Sequence, residues 1–99
     1  MMKLTVLYGQ PTDTAAFDEH YKSVHAPLAE KIPGVARFEA GKMATLDGSE
    51  APYYLMAQLW FEDMAAFGAG MGSPEGAAAA ADVETLASGG ATMLITEIE

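Results

Sequence analysis

The sequence predicts an α+β sandwich with elements in the order β-α-β-β-α-β. Three observations carry this: four runs of β-forming residues, two stretches with helical spacing, and Gly or Pro punctuation at nearly every junction between them.

The first strand is MKLTVLYG, residues 2 to 9, closed by Gly9 and by Pro11, which has no N–H to give a ladder. Thr12 or Asp13 then caps a helix in which Phe17, Tyr21, Val24 and Leu28 recur at spacings of 4, 3 and 4 and so share a face. Pro27 predicts a kink or break near residues 24 to 26, with a short helical piece continuing to Lys31. Pro33-Gly34 is a turn, and residues 35 to 45 form the second strand, with Gly41 as a candidate bulge. Asp47-Gly48 turns the chain into YYLMAQLWF, residues 53 to 61, the strongest strand signal in the protein. Strict alternation puts Tyr53, Leu55, Ala57, Leu59 and Phe61 on one face, and Tyr54, Met56, Gln58 and Trp60 on the other.

Glu62 and Asp63 open a helix through Phe67, which Gly68, Gly70 and Gly72 weaken. Ser73-Pro74 restarts it as N-cap and first helical residue, and it runs to Ser88 before Gly89-Gly90 stops it. ATMLITEIE is the last strand. This is the split βαβ arrangement of ferredoxin-like folds, with four antiparallel strands and both helices on one face. Strands three and four read as apolar on both faces, so the uncovered face calls for a second copy of the chain packed sheet to sheet about 10 Å away.

At 99 residues the chain reads as one domain spanning 1–99, small enough for partner burial to matter. Apolar residues make up 51%, which excludes wholesale disorder. The formal charge of -9 repels phosphate backbones and anionic lipid, so neither nucleic acid nor a membrane is an expected partner. No run of ~18 apolar residues suggests a membrane span. The absence of Cys excludes disulfides, thiolate metal sites and a Cys nucleophile, and fits a reducing cytoplasmic location.

The segment FDEHYKSVHAPLAEKIPGVARFE, Phe17 to Glu39, resembles the signature of EthD-like proteins, a branch of the dimeric α+β barrel superfamily. YYLMAQLWFEDM resembles that family's third strand, and SPEGAAAAADVETLASGGATMLITEIE its last helix and strand. The resemblance implies a homodimer with a pocket in each subunit between sheet and helices. It also implies small hydrophobic or aromatic ligands and chemistry that includes cofactor-free oxygenation, cyclisation and isomerisation. It points to His25 of the H-x-P sequence as the functional position. Where many relatives carry Tyr-Trp in the first helix, this chain has His20-Tyr21.

His25 follows Tyr21 by four residues, so a continuous helix aims both the same way. An imidazole there can move a proton near neutral pH, orient a ligand, or serve as a buried histidine bonded to a carbonyl freed by Pro27. His25 and Tyr21 are the candidate catalytic pair. Tyr53, Tyr54, Trp60 and Phe67 either line an apolar substrate pocket or form ordinary core, and Arg37 either holds an anionic ligand group or makes a surface ion pair. His20 and His25, five apart, diverge by about 140° on an α-helix, so no metal site is expected. Asp18 is placed to pair with Lys22 at i,i+4.

Haem has one available axial ligand in His25, and nothing singles it out. The Gly68-x-Gly70-x-Gly72 run lacks the spacing of a dinucleotide fingerprint, and there is no G-x-S-x-G elbow. No cofactor is expected. The functional expectation is an EthD-like small-molecule enzyme performing cofactor-independent proton-transfer or oxygenase-type chemistry on a small hydrophobic carbonyl or aromatic compound. The alternatives are a non-catalytic carrier dimer for a hydrophobic metabolite and a purely structural dimer.

Overall fold

The computed structural model describes all residues, 1–99. Strands β1 (Met2–Gly9), β2 (Val35–Lys42), β3 (Tyr53–Phe61) and β4 (Ala91–Glu97) form one sheet in the order β2-β3-β1-β4, every neighbouring pair antiparallel. Helices α1 (Thr14–His20) and α2 (Ala26–Glu30) fall between β1 and β2, and α3 (Met64–Met71) and α4 (Pro74–Leu86) between β3 and β4. This is the ferredoxin-like α+β architecture the sequence predicts.

Local chemistry sets the boundaries. Asp13 caps α1 by accepting from the Ala16 N–H, Asp63 caps α3 from Ala66, and Ser73 caps α4 from Gly76. Gly34 turns into β2 at φ +86°, a conformation that costs glycine nothing and costs other residues strain. Helix α4 ends at Leu86, two residues before Ser88, and β2 ends at Lys42, short of Thr45. The β2 irregularity lies between Val35 and Arg37 and not at Gly41.

Two other expectations change. The irregularity expected near residues 24 to 26 is a π-helical turn over Tyr21–His25 and not a break: the Ala26 N–H reaches back five residues to the Tyr21 carbonyl. Pro27 then sits in the first turn of α2, directly after the π turn. The wider turn rotates the buried face. It runs Phe17, Tyr21, His25, Ala29, while Val24 is exposed.

The second change is in β3. Tyr8 pairs with Leu55 and Gly9 with Tyr53, so Tyr54 is the extra residue of a bulge. That residue resets the alternation. Tyr54 joins Leu55 on the helix side, its ring edge-on to Phe17 at 5.4 Å, and Tyr53 goes with Gly9 to the bare side.

The core lies between sheet and helices. Met2, Leu4, Val6 and Tyr8 of β1 pair with Phe61, Leu59, Ala57 and Leu55 of β3, and all eight are buried. Helices contribute Phe17, Tyr21, Ala29, Ala79, Val83 and Leu86. Each large apolar side chain buried this way contributes about 1.5–3 kcal/mol. The opposite face is less apolar than the strand pattern predicts. Leu7, Met56, Trp60 and Leu94 are interleaved there with Lys3, Thr5, Arg37, Glu39 and Gln58, with Lys3 and Arg37 over the Trp60 ring at 5.8 and 5.0 Å.

Candidate functional site

Among charged and strongly polar residues, His25 alone is buried, at 5% exposure. The π turn aims it into the layer between sheet and helices. Its Nδ1 lies 2.9 Å from Oδ2 of Asp82 on α4, and its Nε2 lies 3.3 Å from the Tyr8 hydroxyl on β1. His20 Nε2 lies 2.7 Å from the other Asp82 oxygen. A carboxylate has no proton to give, so Nδ1 of His25 and Nε2 of His20 are donors. In its neutral form His25 therefore presents a lone pair at Nε2, to which Tyr8 donates. At 3.3 Å that bond is long, and a better partner can displace it.

Burial is the largest influence on His25 and lowers its pKa below the ordinary histidine value, against the opposing hydrogen bond and charge of Asp82. The imidazole is thus neutral at pH 7, held as the Nδ1–H tautomer, a form suited to accept a proton. The phenols of Tyr8 and Tyr21 are pushed upward, chiefly by burial, and stay protonated. Tyr21 stacks on Phe17 at 6.0 Å with its ring 5.3 Å from His25, and its hydroxyl has no hydrogen-bond partner.

Beside His25 is a cavity of about 40 Å³ in which it is the only polar residue; Leu4, Ala29, Leu59, Val83 and Met93 form much of its wall. It is little larger than a water molecule's ~30 Å³ share of the liquid, so an organic ligand enters only as side chains move aside. Met71 is half-buried and Met93 is 46% exposed, and both border the cavity, so their unbranched side chains can yield. The cavity of about 40 Å³ is far smaller than a haem. No three His, Asp or Glu side chains converge in a way that would hold a metal ion.

The other predicted site residues are dispersed. Tyr21 adjoins His25. Tyr54 donates to Asp18 at 2.8 Å, and Asp18 pairs with Lys42 at 2.9 Å, not with Lys22; these two bonds hold the Asp18 carboxyl below its usual value. Phe67 packs edge-on against Phe61 at 5.4 Å, away from the cavity. Tyr53, Trp60 and Arg37 lie on the bare face of the sheet, with Arg37 paired to Glu39, so a pocket containing His25 within one subunit does not include them. His20 and His25 do not diverge, because the i→i+5 turn brings residues five apart round to the same side, where both meet Asp82.

Sequence reasoning missed Tyr8 and Asp82. The available signal was Asp82 on the stripe Ala79, Val83, Leu86, since a carboxylate beside a buried helix face needs a partner.

Comparison with known proteins places the fold and the family. A family model described as the EthD domain matches residues 9–90. An uncharacterised 11.0 kDa protein of Rhodococcus erythropolis, from its thcB-thcC intergenic region, is 54% identical over the whole chain and 96% of its own length. The crystal structure of an ethyl tert-butyl ether D family protein from Bacillus halodurans superposes with a TM-score of 0.94 at 36% identity, covering 100% of this chain and 99% of that one. A dimeric ferredoxin-like protein from Thermobifida fusca shares the fold at a TM-score of 0.74 and 17% identity, over 98% of this chain and 90% of its own. The family model and the end-to-end likeness to two proteins well above 30% identity agree, and the chain belongs to the EthD family.

Proposed function

We propose that this protein is a small-molecule enzyme in which His25 moves a proton on a small hydrophobic carbonyl or aromatic compound without a cofactor. The observation that carries the reading is a buried imidazole fixed by Asp82 and bordering an otherwise apolar cavity. A carbon-bound hydrogen made acidic by an adjacent carbonyl, or the hydroxyl hydrogen of a phenol, passes as a proton to Nε2 of His25 and leaves an enolate or a phenolate. Asp82 steadies the imidazolium that results, and the Tyr8 hydroxyl, released from Nε2, is free to donate to the developing oxyanion. Where the carbanion formed reacts with oxygen, the same step begins an oxygenation.

The protein acts as a homodimer. The bare sheet face carries Trp60, Met56, Leu7 and Leu94 among polar groups that include the Arg37–Glu39 pair, a mixture suited to a mate of the same kind, and the Thermobifida fusca fold neighbour is described as dimeric. Cytoplasmic residence accords with the absence of Cys. No helix is long and apolar enough to cross a membrane.

The test is exchange of carbon-bound hydrogen for deuterium in a panel of small ketones, lactones and phenols in D₂O, followed by NMR. Exchange that the wild type accelerates and His25→Ala abolishes supports the reading. Equal exchange in both proteins refutes it, and a compound bound tightly but returned unexchanged favours a carrier.

A further inference from the structure

The two histidines on Asp82 face different surroundings. His25 borders the buried apolar cavity, whereas His20, with 32% of its side chain exposed, borders a polar surface cleft of about 240 Å³ that includes Thr12, Asp13, Thr85 and Ser88. One carboxylate joins them, one oxygen to each ring, at 2.7 and 2.9 Å. A single negative charge can offset only one imidazolium, so the two rings compete for it.

We infer that His20 is a positioning residue for His25: by sharing the Asp82 carboxylate from the solvent side, it sets how strongly the buried ring binds a proton. While His20 is neutral, the full charge of Asp82 acts on His25. Once His20 takes a proton from solvent, Asp82 is offset, and His25 binds a proton less readily. The exposed ring thereby couples solvent pH to a buried base. The other groups facing His25 are the Tyr8 hydroxyl from β1 and the Tyr21 ring one turn back; Glu30, at the end of α2, acts on Tyr21. Both phenols stay uncharged in this range, so His20 and Asp82 are the charged groups that act on His25 beside the constant effect of burial. Burial lowers the proton affinity of His25 most, the hydrogen bond and charge of Asp82 raise it, and the charge of His20 adds a smaller lowering effect.

This coupling concerns proton affinity, so it stands or falls apart from any turnover. The experiment is a ¹⁵N NMR titration of the imidazoles in the full chain, wild type against His20→Gln, whose amide can still donate to Asp82 but cannot become charged. The wild-type His25 curve is expected to show two inflections. In His20→Gln the second inflection disappears and the His25 midpoint moves upward, with the Nδ1–H tautomer kept. His20→Ala, which frees the Asp82 oxygen altogether, moves it the same way and serves if the glutamine variant folds poorly. Superimposable His25 curves in wild type and variant, with the tautomer unchanged, overturn the inference.

Discussion

The Nδ1 of His25 donates to Oδ2 of Asp82 at 2.9 Å, joining the π turn of the first helical segment to the middle of α4. That bond links two halves of the helical layer as well as fixing a tautomer. Asp82→Asn removes the charge and leaves an amide that cannot accept from both histidines. The expected outcome is a loss of about 1–3 kcal/mol, read from urea unfolding, together with a further drop in the proton affinity of His25. Unchanged stability and an unchanged His25 midpoint would deny the bond its role.

Stability should depend on pH through His25. Its pKa is lowered in the folded protein, so between that value and the ordinary histidine value near 6.5 the unfolded chain binds more protons than the native one. The contribution is complete above pH ~6.5 and is lost as pH falls towards the folded value. The wild type should therefore lose stability across this range faster than His25→Gln, in paired urea titrations. Asp18 and Asp47, whose carboxyls are lowered below the usual value, Asp47 to about 2, act only at more acidic pH.

Gly70 packs where no side chain fits. A Cβ there would lie 2.5 Å from the Pro33 carbonyl oxygen and 2.9 Å from the Phe61 ring. Gly70→Ala improves helix propensity yet should destabilise by about 1–3 kcal/mol, because α3 must move away from the sheet. Gly68, with nothing near its Cβ position, is the control: Gly68→Ala should be neutral or stabilising in thermal unfolding.

Much of the fold is legible in the chain. Pro33-Gly34, Ser73-Pro74 and Gly89-Gly90 mark element ends through backbone chemistry that acts locally, and β1 alternates faithfully between buried and half-buried positions. Tyr53 and Tyr54 show where local pattern fails. Both are good strand residues, and a bulge between them arises from how β1 and β3 align, which neither side chain announces. The π turn has the same character: Tyr21 and His25 stay buried, but the exposure of Val24 follows from one backbone bond of altered length. His25 was visible through its motif. Asp82 gave a weaker signal, a carboxylate beside a buried helix face that follows five alanines and lies 57 positions from the ring it holds.

Trp60, under Lys3 and Arg37 on the bare sheet face, is the probe of assembly. Sedimentation equilibrium should find wild-type dimers at micromolar concentration, and Trp60→Glu should shift them to monomers without altering the His25 environment. A wild type that stays monomeric would remove the sheet-to-sheet pairing.

The state of the His25 ring in the resting protein is the most direct measure of the account. A ¹⁵N NMR spectrum of the imidazoles at pH 7 should show His25 neutral, its proton on Nδ1 and its Nε2 free to accept. A doubly protonated ring, or a neutral one with its proton on Nε2, would contradict it.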